Sequence, residues 1–193
     1  MAANPRYHHG NLRPALLAAA TAEIAEVGPA AMSLRKVAAR AGVSHTAAAH
    51  HFGDKRGLLT ALATEGHRAL AEGLAAARPR GLVAMGDAYI RFAGEHRPWF
   101  EVMFRPELLR TDDPEYLAAT EASFGELTSR AGRDESAPRR RRGSGSDAAY
   151  GAWALVHGVA TLWTTGNLPV KDADEAVALF HRAAKALARP TPS

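Results

Sequence analysis

The sequence predicts an all-α protein of about nine helices, in which a small N-terminal helix-turn-helix domain precedes a C-terminal helical bundle. Two observations predict this fold class. Apolar residues make up 47% of the 193 residues and aromatic residues 7%, an alanine-rich composition that favours buried helices. Apolar side chains also recur at three- and four-residue spacing in segments that glycine and proline separate.

These breaks predict five regions. We expect a flexible N-terminal arm, a helix-turn-helix domain, a connecting helix, and a C-terminal helical domain that contains a mobile arginine-rich loop. Their predicted bounds are residues 1–10, 11–54, 55–78, 81–189 and, for the loop, 131–146. The arginines at 139–142 either meet DNA or an acidic partner, or simply lie on a solvated loop.

The first helix of the N-terminal domain is predicted to begin after a cap at Asn11 and to end at Gly28-Pro29. Apolar residues at helical spacing within it favour a folded amphipathic helix over a signal peptide. In the preceding arm, Arg6 either reaches a phosphate or minor groove, or belongs to an unstructured tail.

Two short helices and a tight turn follow, beginning at Ser33. This serine is placed to cap the first of them, and Gly42 can adopt the positive φ that a sharp turn needs. Ser44 then caps a second helix, His45 to His51, which Phe52 anchors. The pattern is that of a helix-turn-helix, whose second helix enters the DNA major groove, although helical hairpins also occur in ordinary cores.

The charge of the chain is concentrated in this region. Residues 1–57 contain seven lysines and arginines against three acidic residues, an excess equal to the whole net charge of +4. A basic N-terminal third on a neutral body is typical of a phosphate-binding domain. The alternative is a basic face that only contacts solvent.

The C-terminal part contains a connecting helix and five further predicted helices. Asp54 caps the connecting helix, which runs from Lys55 to about residue 77, and Asp113-Pro114 begins a later helix that ends near Ser129. Another begins at Asp147, is apolar nearly all round, and must be buried in a core or against a partner. The last follows an Asp172/Glu175 capping box and places one apolar stripe on its surface: Ala176, Phe180, Ala184 and Leu187. The last two helices together predict a dimer interface.

Several function classes lack support in the sequence. There is no cysteine, which excludes disulfides and thiolate sites. The nine histidines are scattered, no catalytic or nucleotide-binding motif is present, and His8-His9 lacks a third ligand at useful spacing. We therefore predict no enzymatic activity, no metal site and no cofactor. No run of 18 apolar residues occurs, which predicts no membrane span, and we expect a cytoplasmic protein.

Short motifs in one order and spacing over residues 7–66 resemble the tetracycline-repressor (TetR) family of bacterial regulators. They are YHHGNLR, SLRKVAxxAGVS and HFxDKxxLL. Trp153, His157 and Gly158 are similar to the Trp-His-Gly signature of one C-terminal branch of the family. One departure is at Ala48 and Ala49, where the family usually has Leu-Tyr or Pro-Tyr. Since the tyrosine contacts a phosphate in the family, we expect weaker or differently distributed phosphate contacts here.

The resemblance implies that residues 81–189 form a domain for ligand binding and dimerisation. It also implies a one-component regulator, by default a repressor, that binds a pseudo-palindromic operator as a homodimer and is released by a small hydrophobic effector. For base contacts we expect His45, Thr46, Ala47 and His50, and for phosphate contacts Ser33, Arg35, Ser44, His51 and Lys55. For the effector we expect a cavity with His157 as its polar group, lined by Phe92, Trp99, Met103, Phe104, Phe124 and Trp153.

Two further alternatives stay open: a helical interaction protein with a degenerate recognition helix, and a non-specific DNA binder. A strongly salt-dependent affinity for duplex DNA is expected of a regulator and not of an interaction protein. The ratio of the affinities for operator and unrelated DNA distinguishes a regulator from a non-specific DNA binder.

Overall fold

The computed structural model describes residues 12–131 and 147–187, and these form nine α-helices and no strand. The predicted all-α fold is therefore confirmed for this part of the chain. The predicted arm, the Asn11 cap and the predicted loop beyond Ala131 lie outside it. The helices are α1 (Leu12–Ala31), α2 (Leu34–Arg40), α3 (His45–Phe52), α4 (Lys55–Ala77), α5 (Leu82–Glu95), α6 (Arg97–Met103), α7 (Pro114–Ala131), α8 (Asp147–Thr164) and α9 (Ala173–Leu187).

Helix α1 is interrupted near its end. Gly28 has a φ of 75°, outside the helical region, and Pro29 begins one more helical turn that reaches Ala31. Proline suits this position because its fixed φ is helical and the first turn of a helix does not need its missing N–H. The regular helix thus ends at the predicted glycine, and the structure adds a final turn.

The turn between α2 and α3 is the predicted one. Gly42 has a φ of 71°, and the Ser44 hydroxyl accepts a hydrogen bond from the Ala47 N–H at 3.1 Å. Ser33 also occupies an N-cap position with an extended backbone, but its side chain makes no capping hydrogen bond. Ser33 is therefore a cap by position only.

Helix α4 joins the N-terminal domain to the rest of the molecule. The Asp54 carboxylate caps it by accepting from the Gly57 N–H at 2.8 Å. Its leucines, including Leu58, Leu62 and Leu70, are buried in a core that runs without a break from α1 to α9. Its most extensive packing is against α7, so α4 spans both halves of the structure.

The remaining helices begin and end at chemically recognisable positions. A short 3₁₀ turn, Arg78–Arg80, and Gly81 with a φ of 103° separate α4 from α5. The Asp113 carboxylate caps α7. In the predicted box at α9, Asp172 accepts from the Glu175 N–H, but the Glu175 carboxylate returns to the backbone N–H of Lys171 instead of Asp172.

The last two helices leave apolar surface uncovered in the single chain. On α8, Gly151, Ala154 and Leu162 are exposed and Gly158 is half-buried. On α9, Ala176 and Phe180 are buried as predicted, whereas Leu187 is 74% exposed. Leu187 therefore does not belong to the buried stripe of the chain.

Candidate nucleic-acid interface and ligand cavity

Helix α3 presents its first turn to solvent. Ser44, His45 and Thr46 are exposed, while Ala48 and Phe52 on the opposite side are buried against the other helices. The helix is thus held by its apolar face, with polar side chains directed outward. This geometry suits insertion into a major groove.

The other predicted base and phosphate contacts lie around this surface. Ala47 is half-buried, and His50 and His51 are exposed with their rings edge to face, 6.0 Å apart. Ala49, which replaces the family's tyrosine, is half-buried.

The basic side chains of α2 are not equally available. Arg40 forms ion pairs with Glu26 at 2.7 Å and with the buried Glu23 at 3.3 Å, and Lys36 lies 3.7 Å from Glu23. Arg35 is exposed and forms no ion pair with any residue in the described part of the chain. Arg35 is therefore the α2 cation best placed to meet a phosphate.

Lys55 is less free than the sequence suggested. Its ammonium group donates to the Ala30 carbonyl at 2.6 Å, which ties the start of α4 to the end of α1. An ammonium has three donors, so two remain for an external phosphate oxygen. Lys55 can therefore bind the Ala30 carbonyl and a DNA phosphate at the same time.

A cavity of about 420 Å³ lies among α4, α5, α6, α7 and α8, within the size range of small-molecule sites. Its walls are mostly aromatic and aliphatic, and no ionised side chain lines it. The lining residues are His67, Leu70, Tyr89, Met103, Phe104, Pro106, Tyr116, Thr120, Ser123, Phe124, Leu127, Trp153 and His157.

Five of the seven residues predicted to contact an effector line this cavity, and Phe92 and Trp99 do not. Phe92 packs on His96, whose ring stacks on Trp99 with centroids 4.8 Å apart. The Trp99 indole N–H donates to the Thr21 hydroxyl of α1 at 2.9 Å. Phe92 and Trp99 lie outside this cavity because they pack α6 against α1 and α5.

His157 is the centre of a polar group inside an aromatic cluster. Its Nδ1 lies 2.8 Å from the Tyr89 hydroxyl, and its ring contacts Phe104 and Trp153. Burial lowers the pKa of His157 and raises that of Tyr89. Both side chains are therefore neutral at pH 7, and their hydrogen bond is between uncharged groups.

Sequence reasoning missed the polar wall formed by α4 and α7. His67 is 3% exposed and its Nδ1 lies 2.9 Å from the Ser123 hydroxyl. Thr120, one turn before Ser123, lines the same wall. One signal was present in the sequence, because His67 interrupts the apolar stripe of α4 between Ala63 and Leu70.

Stability is expected to fall in mild acid because of His67. Burial lowers its pKa to about 4, an effect partly opposed by the nearby Met103 carbonyl, which makes no hydrogen bond of normal geometry to the ring. The unfolded chain, with a histidine pKa near 6.5, binds more protons between pH 6.5 and 4, so stability is complete above this window and decreases through it. From pH 7.5 to 5.0 the loss should be about 2 kcal/mol in urea denaturation. His67→Phe should remove most of this slope and His45→Phe should not; an unchanged slope in His67→Phe would refute the assignment.

Within the described residues, no group of three potential ligands is arranged to hold a metal ion. None of the described helices is both long enough and apolar enough to cross a membrane.

Both halves of the chain match models of known protein families. Residues 16–62 match the model of bacterial regulatory proteins of the tetR family, and residues 82–187 match the tetracyclin repressor-like C-terminal domain. A comparison with curated proteins finds no match.

Among solved structures, a Rhodococcus sp. RHA1 protein of unknown function is 32% identical, with coverage of 96% of this chain and 100% of that chain and a TM-score of 0.73. The TetR family transcriptional regulator PfmR from Thermus thermophilus is 22% identical (90% and 99% coverage, TM-score 0.66). NalD from Pseudomonas aeruginosa, the secondary repressor of the MexAB-OprM multidrug efflux pump, is 21% identical (91% and 97%, TM-score 0.61). The last two share the fold.

Both halves thus match models of DNA-binding transcription factors, which are not enzymes. The chain belongs to the TetR family of bacterial transcriptional regulators.

Proposed function

We propose that this regulator is a cytoplasmic repressor that binds a pseudo-palindromic operator as a homodimer and is released when a small hydrophobic ligand occupies the cavity. One observation carries the proposal. The same helix, α4, follows the recognition helix directly at Asp54 and supplies the cavity wall at His67 and Leu70. A ligand that moves α4 therefore also moves the DNA-binding surface.

On the DNA, the proposed roles follow from exposure. His45, Thr46, Ala47 and His50 read bases, since a histidine can donate to a purine and the methyl groups of threonine and alanine can contact thymine. Arg35, Ser33, Ser44, His51 and Lys55 contact phosphates, helped by the N–H groups at the start of α2 and α3.

The exposed side of α8 supports a dimer. Gly151, Ala154, Gly158 and Leu162 follow one another at three- and four-residue spacing, so they form one stripe. A Cβ atom added at either glycine would meet nothing within 4 Å in the single chain. Such a smooth apolar stripe allows a second helix to approach closely. The two-fold axis of a dimer then matches the symmetry of a pseudo-palindromic operator.

The connection between α6 and α7, residues 104–113, supports coupling between the cavity and the DNA-binding domain. Its first part, at Phe104 and Pro106, lines the cavity. Its last part is fixed to the start of α4: the Arg110 guanidinium lies 3.0 Å from the Asp54 carboxylate, and the Arg56 guanidinium donates to the Leu109 carbonyl at 2.8 Å.

We propose that a ligand which displaces Phe104 shifts the 104–113 connection and, through it, the start of α4. The ligand binds this shifted conformation more tightly than the conformation that fits the operator. By linkage, the same ligand then lowers the affinity for the operator. Repression as the direction of control agrees with the description of NalD, a structural neighbour.

Two substitutions test the assignment of DNA contacts. His50→Ala should change the order of affinities among operator variants, because it removes a base contact. Lys55→Ala should weaken binding to every duplex alike and reduce the slope of log affinity against log salt by about one unit, because one phosphate contact is lost. Both effects are measured by fluorescence anisotropy on labelled duplexes.

Lys171→Ala is the matched control for charge, since it removes one exposed lysine from the connection between α8 and α9. Its slope should equal that of the wild type. An unchanged slope in Lys55→Ala would show that this lysine only holds the end of α1. A uniform loss in His50→Ala would show that this histidine contacts a phosphate and does not read a base.

A further inference from the structure

Two buried polar atoms of the cavity wall have no hydrogen-bond partner among the described residues. They are Nε2 of His67 and the hydroxyl oxygen of Thr120. His67 is 3% exposed, and both residues line the cavity. A buried polar atom without a partner costs free energy, so two on one wall of a cavity call for an explanation.

The hydrogen bonds of His67 define what its free nitrogen can do. We assign the single proton of the Ser123 hydroxyl to the Thr120 carbonyl, 3.1 Å away, so that the hydroxyl oxygen accepts from Nδ1–H of His67 at 2.9 Å. The neutral ring then carries its proton on Nδ1. Its Nε2 is therefore an acceptor that requires a donor from inside the cavity.

The geometry points to an uncharged, mainly apolar ligand that carries a hydroxyl group. This hydroxyl donates its proton to Nε2 of His67, and its oxygen accepts a hydrogen bond from the Thr120 hydroxyl. This inference deepens the proposed function, because it names the chemical class of the effector. The aromatic walls, including Phe104, Phe124 and Trp153, cover the apolar part of such a molecule.

The lining disfavours an ionised ligand of either sign. An anion would find no lysine or arginine on the walls, and a cation would find no carboxylate. A charge that is taken out of water without a partner loses more free energy of hydration than a neutral group does. Attraction between a cation and the aromatic rings offsets only part of this loss. An uncharged hydroxyl satisfies the free acceptor without this loss.

Four probes with one naphthalene ring test the inference on the full-length protein by calorimetric titration at pH 7.5. They are 2-naphthalenemethanol, its methyl ether, 2-naphthoate and 2-naphthylmethylammonium. The alcohol should bind at least about tenfold more tightly than the ether, which cannot donate, and more tightly than either ion. Equal binding of alcohol and ether, tighter binding of an ion, or binding of none of the four would overturn the inference.

Variants locate the effect. His67→Phe should abolish the preference for the alcohol over the ether while both still bind. Thr120→Val, which keeps the side-chain shape, should reduce the preference and keeps the test valid if His67→Phe does not fold. Thr128→Val on the same helix, whose hydroxyl donates to the Gly125 carbonyl, is the control and should retain it. A retained preference in His67→Phe would contradict the assignment of the acceptor.

Binding of the probes does not depend on DNA. If the protein bound the alcohol selectively but bound no operator DNA, this inference would stand and only the proposed function would be refuted. Operator binding without a preference for the alcohol would do the reverse.

Discussion

Replacing Gly158 with glutamate should convert the proposed dimer into monomers and weaken operator binding at least about a hundredfold. Gly158 lies in the middle of the α8 stripe, and a Cβ atom added there meets nothing within 4 Å in the single chain. The fold of the monomer should therefore tolerate the change, which also replaces a poor helix former with a better one. In a helix-to-helix interface, however, the same carboxylate is buried without a partner. Light scattering after gel filtration measures the mass, and anisotropy measures the affinity.

Gly73→Glu is the matched control for this experiment. Gly73 is an exposed helical glycine of α4, and a Cβ atom added there also meets nothing within 4 Å. This variant should remain dimeric and bind the operator as the wild type does. A dimeric Gly158→Glu variant would show that α8 does not form the interface.

The substitution Gly57→Ala should disrupt the junction between the recognition helix and α4. A Cβ atom at Gly57 would lie 1.9 Å from the backbone carbonyl oxygen of Phe52, the last residue of α3. Because the obstacle is backbone, either α3 or the first turn of α4 must move. We expect a loss of about 1–3 kcal/mol in stability and a fall of at least about tenfold in operator affinity. Thermal denaturation and anisotropy measure the two effects.

The same substitution farther along the same helix provides the control. Gly73→Ala should raise stability by up to about 1 kcal/mol, because alanine is the better helix former and the position is open. Its operator affinity should not change. If Gly57→Ala bound the operator like the wild type, the position of α3 would not depend on this junction.

The local signals in the sequence were sufficient to place the helices. Gly42 and Ser44 mark the turn of the helix-turn-helix, and Asp54 and Asp113 cap the helices that they precede. Such caps involve residues only a few positions apart, so the sequence itself contains both partners. The bond from Glu175 to Lys171 was not predicted because a carboxylate can reach either of two neighbouring N–H groups.

The cavity was less predictable because it depends on which helices pack together. Phe92 and Trp99 belong to the same aromatic-rich segment as Met103 and Phe104, yet only the latter two face the cavity. Trp99 is turned away from the cavity because its indole N–H donates a hydrogen bond to the Thr21 hydroxyl of α1. The His67–Ser123 pair joins residues 56 positions apart, and no periodicity in either helix reports this pairing.

Sequence-specific DNA binding by the exposed side of α3 is tested most directly by fluorescence anisotropy. Anisotropy of the purified protein is recorded on duplexes from the region upstream of its own gene and on scrambled duplexes, at two salt concentrations. We predict saturable binding that is at least about a thousandfold tighter to one upstream duplex than to scrambled DNA. Equal affinity for both, or no binding at low salt to any duplex, would contradict the claim.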